Sequence, residues 1–273
     1  MRAQQPVYQQ PLHLLIGAHY IKEQVTEHFR SVTCSFMYYS STAMSNPALL
    51  FFLSLSLASC CNRQGTFHLD GYIADANNGD TIIIARQYDG GGFEELARCI
   101  VEGGEFHIRG NIDCCEPVYL RYNTAKSNVY PMFFIEEGRM KVSIDSSGCR
   151  VSGTPMNDLN NGIEDTTKSY ISQLEEIEGL YYSKELNEKE LIRLGLCGLE
   201  LQEKYISYLR GVIEENIHTP LGLYLLSVYN SLFSAEEFCS LFERIPHDIV
   251  NGGNRPFYAA AALIAKEYQN AFE

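Results

Sequence analysis

The sequence predicts a segregated α+β protein, an antiparallel β-sandwich or barrel followed by an all-α region of about five helices. Three observations carry this. From Thr66 to about Thr154, short apolar segments are separated by turns rich in Gly, Asn and Asp. After Gly153 the apolar spacing changes from two to three and four, the period of a helix face. A run of apolar residues from Ala48 to Ala58 precedes both regions and has the texture of neither.

The β elements follow in order. Phe67, Leu69, Gly71 and Ile73 alternate, and Thr81 to Ala85 is β-branched. Leu96 to Val101, Phe106 to Ile108, Val118 to Tyr122, Met132 to Ile135, Met140 to Ile144 and Arg150 to Ser152 follow at fairly regular spacing, giving about eight strands. The turns between them, Asn77-Asn78-Gly79-Asp80, Asp89-Gly90-Gly91-Gly92, Gly103-Gly104 and Ser146-Ser147-Gly148, supply residues that tolerate positive φ. Repeated strands joined by hairpin turns, without intervening helices, imply antiparallel pairing.

The helices are expected over 156–180, 186–216, 220–232, 235–245 and 256–271. Leu159, Ile163, Tyr170, Leu174 and Ile177 make one stripe, and Leu191, Leu194, Leu201, Tyr205, Tyr208 and Val212 make another. Thr154-Pro155, Thr219-Pro220 and Arg255-Pro256 put Pro where a first helical turn tolerates it. Ser234 with Glu237 three residues on reads as a capping box.

Ala48 to Ala58 is too short to cross a bilayer core, which needs about 20 helical residues, but it has the length of a signal-peptide core. It ends in Leu57-Ala58-Ser59-Cys60, the pattern of a bacterial lipobox, with Cys60 as the lipid-attachment residue and first residue of the mature chain. No Lys or Arg lies between Arg30 and Arg63, so the expected basic n-region is missing. A start at Met37 or Met44 is expected, leaving only the free amino group to supply positive charge, with the preceding residues (1–36 or 1–43) an over-extended reading frame. The expected organisation is therefore a leader over 1–59, a β-sandwich domain over 60–155 and a helical domain over 156–273. Without Asp after Cys60, the lipoprotein is expected to reach the outer membrane, on its periplasmic face.

Charge separates the two mature halves. The whole chain has 21 Lys+Arg against 34 Asp+Glu, a formal net charge of -13. Removing residues 1–59, with 3 basic and 2 acidic side chains, leaves 18 against 32, or -14. Residues 60–155 hold 9 basic and 13 acidic residues, and 156–273 hold 9 and 19, so the helices carry -10 of the -14. Such a balance opposes nucleic-acid binding, which rests on neutralising phosphates, and excludes a polybasic membrane patch.

Phe67-His68-Leu69-Asp70-Gly71, the hairpin from Val101 to Gly110, and Phe134-Ile135-Glu136-Glu137-Gly138 leading to Val151-Ser152-Gly153-Thr154-Pro155-Met156-Asn157 resemble an uncharacterised domain. It belongs to Gram-negative envelope lipoproteins in which this β domain and a helical linker usually precede a thioredoxin-like module of the thiol-disulfide interchange or peroxiredoxin type. Glu215 to Leu225 is similar to a recurring segment of that linker. The resemblance implies fold and envelope location. It transfers no catalytic residue, because the nine cysteines (Cys34, Cys60, Cys61, Cys99, Cys114, Cys115, Cys149, Cys197 and Cys239) contain no C-x-x-C.

Other chemistry is equally sparse. Cys99, Cys114, Cys115 and Cys149 fall in the β half, as buried thiols or with one structural disulfide among them. His68, His107, His218 and His247 lack zinc-type spacing. Glu136-Glu137, Glu175-Glu176, Glu214-Glu215 and Glu236-Glu237 are sequence neighbours. Neighbours on a helix point about 100° apart, unlike carboxylates converging on a substrate. No G-x-S-x-G elbow or phosphate loop occurs. The tyrosines of the helical half read mainly as core, with a partner groove as the alternative.

The sequence thus points to a non-catalytic outer-membrane lipoprotein that binds or scaffolds a protein or small ligand in the envelope. It needs no cofactor and no metal. Two other functions stay open. One is the front part of a thioredoxin-like oxidoreductase or peroxiredoxin lipoprotein whose module is lost, split or frame-shifted, which sequence beyond the codon for Glu273 would reveal. The other is a glycan- or peptide-binding accessory.

Overall fold

The computed structural model describes residues 65–270 except 75, 89–91, 124–127, 130, 146–147 and 184–185. Its first half contains β1 (Gly65–Ile73), β2 (Thr81–Gln87), β3 (Phe93–Ile100), β4 (Glu105–Ile112), β5 (Glu116–Asn123), β6 (Asn128–Val129), β7 (Met132–Ile135), β8 (Gly138–Asp145) and β9 (Gly148–Ser152). They form two sheets. The first runs β4-β1-β8-β9; the second runs β3-β2-β5-β6, with β7 also pairing with β5. The architecture is a sandwich, and its strands match the predicted segments apart from the two-residue β6, too short to leave a periodic signal.

One pairing departs from the antiparallel expectation: β1 runs parallel to β8, from Phe67 opposite Gly138 to Ile73 opposite Ile144. Its other neighbour, β4, is antiparallel. Parallel neighbours cannot be joined by a tight turn. Between β1 and β8 the chain builds the whole second sheet, β2, β3, β5, β6 and β7, and visits the first sheet once, at β4 on the other edge of β1.

The first sheet obeys alternation. Phe67, Leu69, Phe106, Ile108, Met140, Val142 and Ile144 point into the sandwich core with Ile82, Ile84, Val118, Leu120 and Tyr122 from the second sheet. Its other face is polar, with His107 Nδ1 2.8 Å from Asp70 Oδ1. The second sheet is covered on both faces around β5, where Glu116 to Leu120 are all buried. Val118 and Leu120 face the sandwich core, whereas Phe134 of β7, with Cys115 and Met132 against it, belongs to the core of the helical half.

The helices are α1 (Pro155–Ser183), α2 (Glu188–Asn216), α3 (Pro220–Val228), α4 (Ala235–Glu243) and α5 (Arg255–Asn270). Four of the five predicted ranges agree to within a few residues. The third ends at Val228 and continues as a 3₁₀ turn over Asn230–Leu232. Side chains compete for its last carbonyls: Ser227 Oγ donates to Tyr224 O at 2.7 Å, and Asn230 Nδ2 to Ser227 O at 3.0 Å. Thr219 caps α3, and Ser234 and Glu237 close the predicted capping box of α4. A second box, Asn187 with Glu190, starts α2.

Candidate functional site

The predicted lipid-attachment residue Cys60 and its lipobox neighbours Leu57, Ala58 and Ser59 lie outside the described residues. The six described cysteines, Cys99, Cys114, Cys115, Cys149, Cys197 and Cys239, are free thiols. Burial pushes the Cys149 thiol up to about 12, and raises Cys99, Cys114 and Cys115 as well. A thiol held protonated in this way is a poor nucleophile and a poor metal ligand. No group of three or more metal-type side chains occurs among the described residues.

The paired acids resolve into separate structural tasks. Glu136 accepts from the backbone N–H groups of Met156 at 3.1 Å and Asn157 at 3.2 Å, placing a carboxylate at the positive end of α1. Glu237 belongs to its capping box and also takes a hydrogen bond from Arg210. Glu175, Glu176, Glu214 and Glu215 are exposed.

Asn157, which sequence reasoning used only as part of a resemblance, stitches α1 to the sandwich. Its Nδ2 donates to Phe134 O at 2.7 Å and to Thr154 Oγ1 at 2.9 Å, while its Oδ1 accepts from Phe134 N at 3.0 Å. The amide thus imitates a neighbouring strand along β7, satisfying a donor and an acceptor that would otherwise be buried unpaired. Asn161, one turn on, donates to Val151 O at 2.6 Å.

A second junction centres on Glu116, whose side chain is 2% exposed. Arg86 grips it with Nε donating to Oε2 at 2.8 Å and Nη2 to Oε1 at 2.5 Å; its Nη1 reaches Glu94 at 3.2 Å. The carboxylate's hydrogen bonds raise the Arg86 guanidinium further above its ordinary range. Glu116 Oε2 also accepts from the backbone N–H of Gly253, in the turn between α4 and α5. Gly252 there has φ +53°, and a Cβ at Gly252 would collide with that same oxygen. Asn254 completes the clamp by donating to Cys115 O at 3.0 Å. Sequence offered no signal for it, since its two sides stand 137 positions apart.

A third cluster is aromatic and belongs to the core of the helical half. The Tyr170 ring lies tilted on those of Tyr205 and Tyr208, with centroids 5.2 and 6.1 Å away. Tyr224 meets Phe257 edge-on at 5.2 Å. Burial is the main cause raising the phenols of Tyr205, Tyr224 and Tyr229, and the Glu164 charge adds to the last two. Glu164 is itself raised by burial, although Asn160 donates to it at 3.0 Å. The Thr167 and Tyr229 hydroxyls are near enough to Tyr205 to oppose its rise, yet the buried Thr167 and Tyr205 oxygens close no well-formed hydrogen bond. Phenols in this state donate hydrogen bonds and do not act as bases.

No curated protein matches the chain. Among solved structures, it is similar to the CBM25-1 of a beta/alpha-amylase from Paenibacillus polymyxa at 13% identity, covering 34% of this chain and 96% of that one, with a TM-score of 0.24. Among family models, the sandwich and the stitched start of α1, residues 67–160, match a domain of unknown function, DUF4369.

Proposed function

We propose that this protein is a lipid-anchored, non-catalytic component of a Gram-negative envelope, held by Cys60 at the periplasmic face of the outer membrane, where it binds or scaffolds a partner. The observation that carries the reading is the lipobox-like run ending at Cys60, five positions before the first residue of β1. Five residues span at most about 18 Å, so an anchor there would hold the sandwich close to the lipid surface. Support for a non-catalytic role comes from how the reactive groups are used. The half-buried Glu136 caps a helix, the buried Glu116 clamps the junction, and four thiols are held protonated.

Radiolabelled palmitate and membrane fractionation test the anchor. The wild-type chain is expected to take up label and sediment with outer membranes, and Cys60→Ala to do neither. Label retained by Cys60→Ala, or an isolated protein beginning at Met1, would refute the localisation.

A further inference from the structure

α1 and α2 are each 29 residues long and pair with one another. Towards the chain start of α2, one face is left uncovered by the described residues. Gly198, Tyr205 and Leu209 are buried, with Gly198 facing Ile177 and Tyr205 against Tyr170 of α1. At 3.6 residues per turn, Ile192, Leu196, Leu199 and Glu203 fall within about 60° of one another, roughly 130° away from that seam. Ile192 is 47% exposed and Leu196 is 61% exposed. Further along the same stripe, Arg210 lies over the Phe233 ring at 5.2 Å and bonds to Glu237 of α4. The bare apolar stretch therefore continues a face that the fold already uses for helix packing.

Its charges point to the occupant. Lys189 and Arg193 flank the stripe towards the chain start, Glu200 flanks it on the same side towards the chain end, and Glu203 closes the stripe there, all four exposed. We propose that α2 pairs antiparallel with α2 of a second copy, centred on Leu196. In that register Lys189 of each copy stands opposite Glu203 of the other, and Arg193 opposite Glu200. The two-fold axis forms each pair twice, and Ile192, Leu196 and Leu199 are covered. Glu200, which takes Lys204 at 2.7 Å within its own helix, has a second carboxylate oxygen for Arg193. A single helix pair falls at the low end of the roughly 1,200–2,000 Å² of specific interfaces, so the dimer is reversible and depends on concentration.

Sedimentation velocity of the full chain across a micromolar range tests the pairing. A monomer–dimer equilibrium is expected. Leu196→Lys should abolish it, and Lys189→Glu should weaken it about tenfold by removing two cross-helix pairs. The double variant Lys189→Glu/Glu203→Lys should restore it. Because the substituted side chains are exposed, far-UV circular dichroism should be unchanged throughout. A full chain that stays monomeric across the range would overturn the proposal, as would a dimer indifferent to Leu196→Lys or a charge swap that fails to restore association.

Discussion

Arg86→Ala is expected to cost more than its partly exposed position suggests. The substitution removes both bonds to Glu116, at 2.8 and 2.5 Å, and leaves a carboxylate 2% exposed with the Gly253 N–H as its remaining donor among those described. Breaking a buried ion pair from one side costs about 3–5 kcal/mol, because the abandoned charge stays desolvated. The Arg86 side chain is 29% exposed, so water follows it out and the loss should fall near the lower end, about 3 kcal/mol. Glu116→Ala removes the desolvated charge itself. Arg86 then keeps Glu94 and water, but the Gly253 N–H loses its acceptor, at a cost of about 2 kcal/mol. Arg86→Met/Glu116→Leu leaves only that orphaned N–H and should also lose about 2 kcal/mol, well short of the roughly 5 kcal/mol that adding the single losses would give. Urea unfolding followed by tyrosine fluorescence and circular dichroism measures all three. A loss below about 0.5 kcal/mol for Arg86→Ala, or a double variant that behaves additively, would refute the clamp as described.

Glu164→Gln should stabilise the protein at neutral pH. Burial raises this carboxyl above its usual value of 4.5, so the folded state binds its proton more readily, and stability attributable to the group falls as pH rises through that window. The advantage of Gln should be present at pH 7 and vanish below the ordinary carboxylate range, as read from urea midpoints at both pH values. Asn157→Ala removes partners from both Phe134 N and Phe134 O and should cost about 2–4 kcal/mol, with Asn157→Asp also destabilising because a carboxylate cannot donate to Phe134 O. Timed alkylation with mass spectrometry should find Cys197 modified well before Cys149, whose thiol is held up to about 12; equal rates would contradict the burial described.

What could be read in advance divides along physical lines. Helix ends written locally, such as Thr219-Pro220 and Ser234 with Glu237, were legible because a cap is satisfied within four residues. The Asn187–Glu190 box carried the same signal, yet the predicted start fell at 186. Strand positions were legible where one face is buried, as in β1 and β8, because alternation records it. The parallel β1–β8 partnership was not, since alternation says which face a residue takes and nothing about its neighbour. Glu116 was illegible for a related reason. A carboxylate at the start of a strand usually marks solvent, and its burial here depends on Arg86 and a glycine turn beyond α4. Only the folded chain brings those three together.

The central position of β1 sets how the molecule responds to a pull. With β4 on one side and β8 on the other, its Phe67–Tyr72 stretch is bonded along both edges. A force applied from the N-terminal side along this strand loads both ladders in shear, so their hydrogen bonds must fail together. An edge strand peeled from its end would give way one bond at a time. β9, on the outer edge of the same sheet, has only β8 beside it, and its weaker hold is reinforced by Asn161 of α1, which donates to Val151 O. Tension arriving at Gly65 therefore meets the most resistant strand of the sheet, a mechanical property that atomic-force pulling from either end would read as a difference in rupture force.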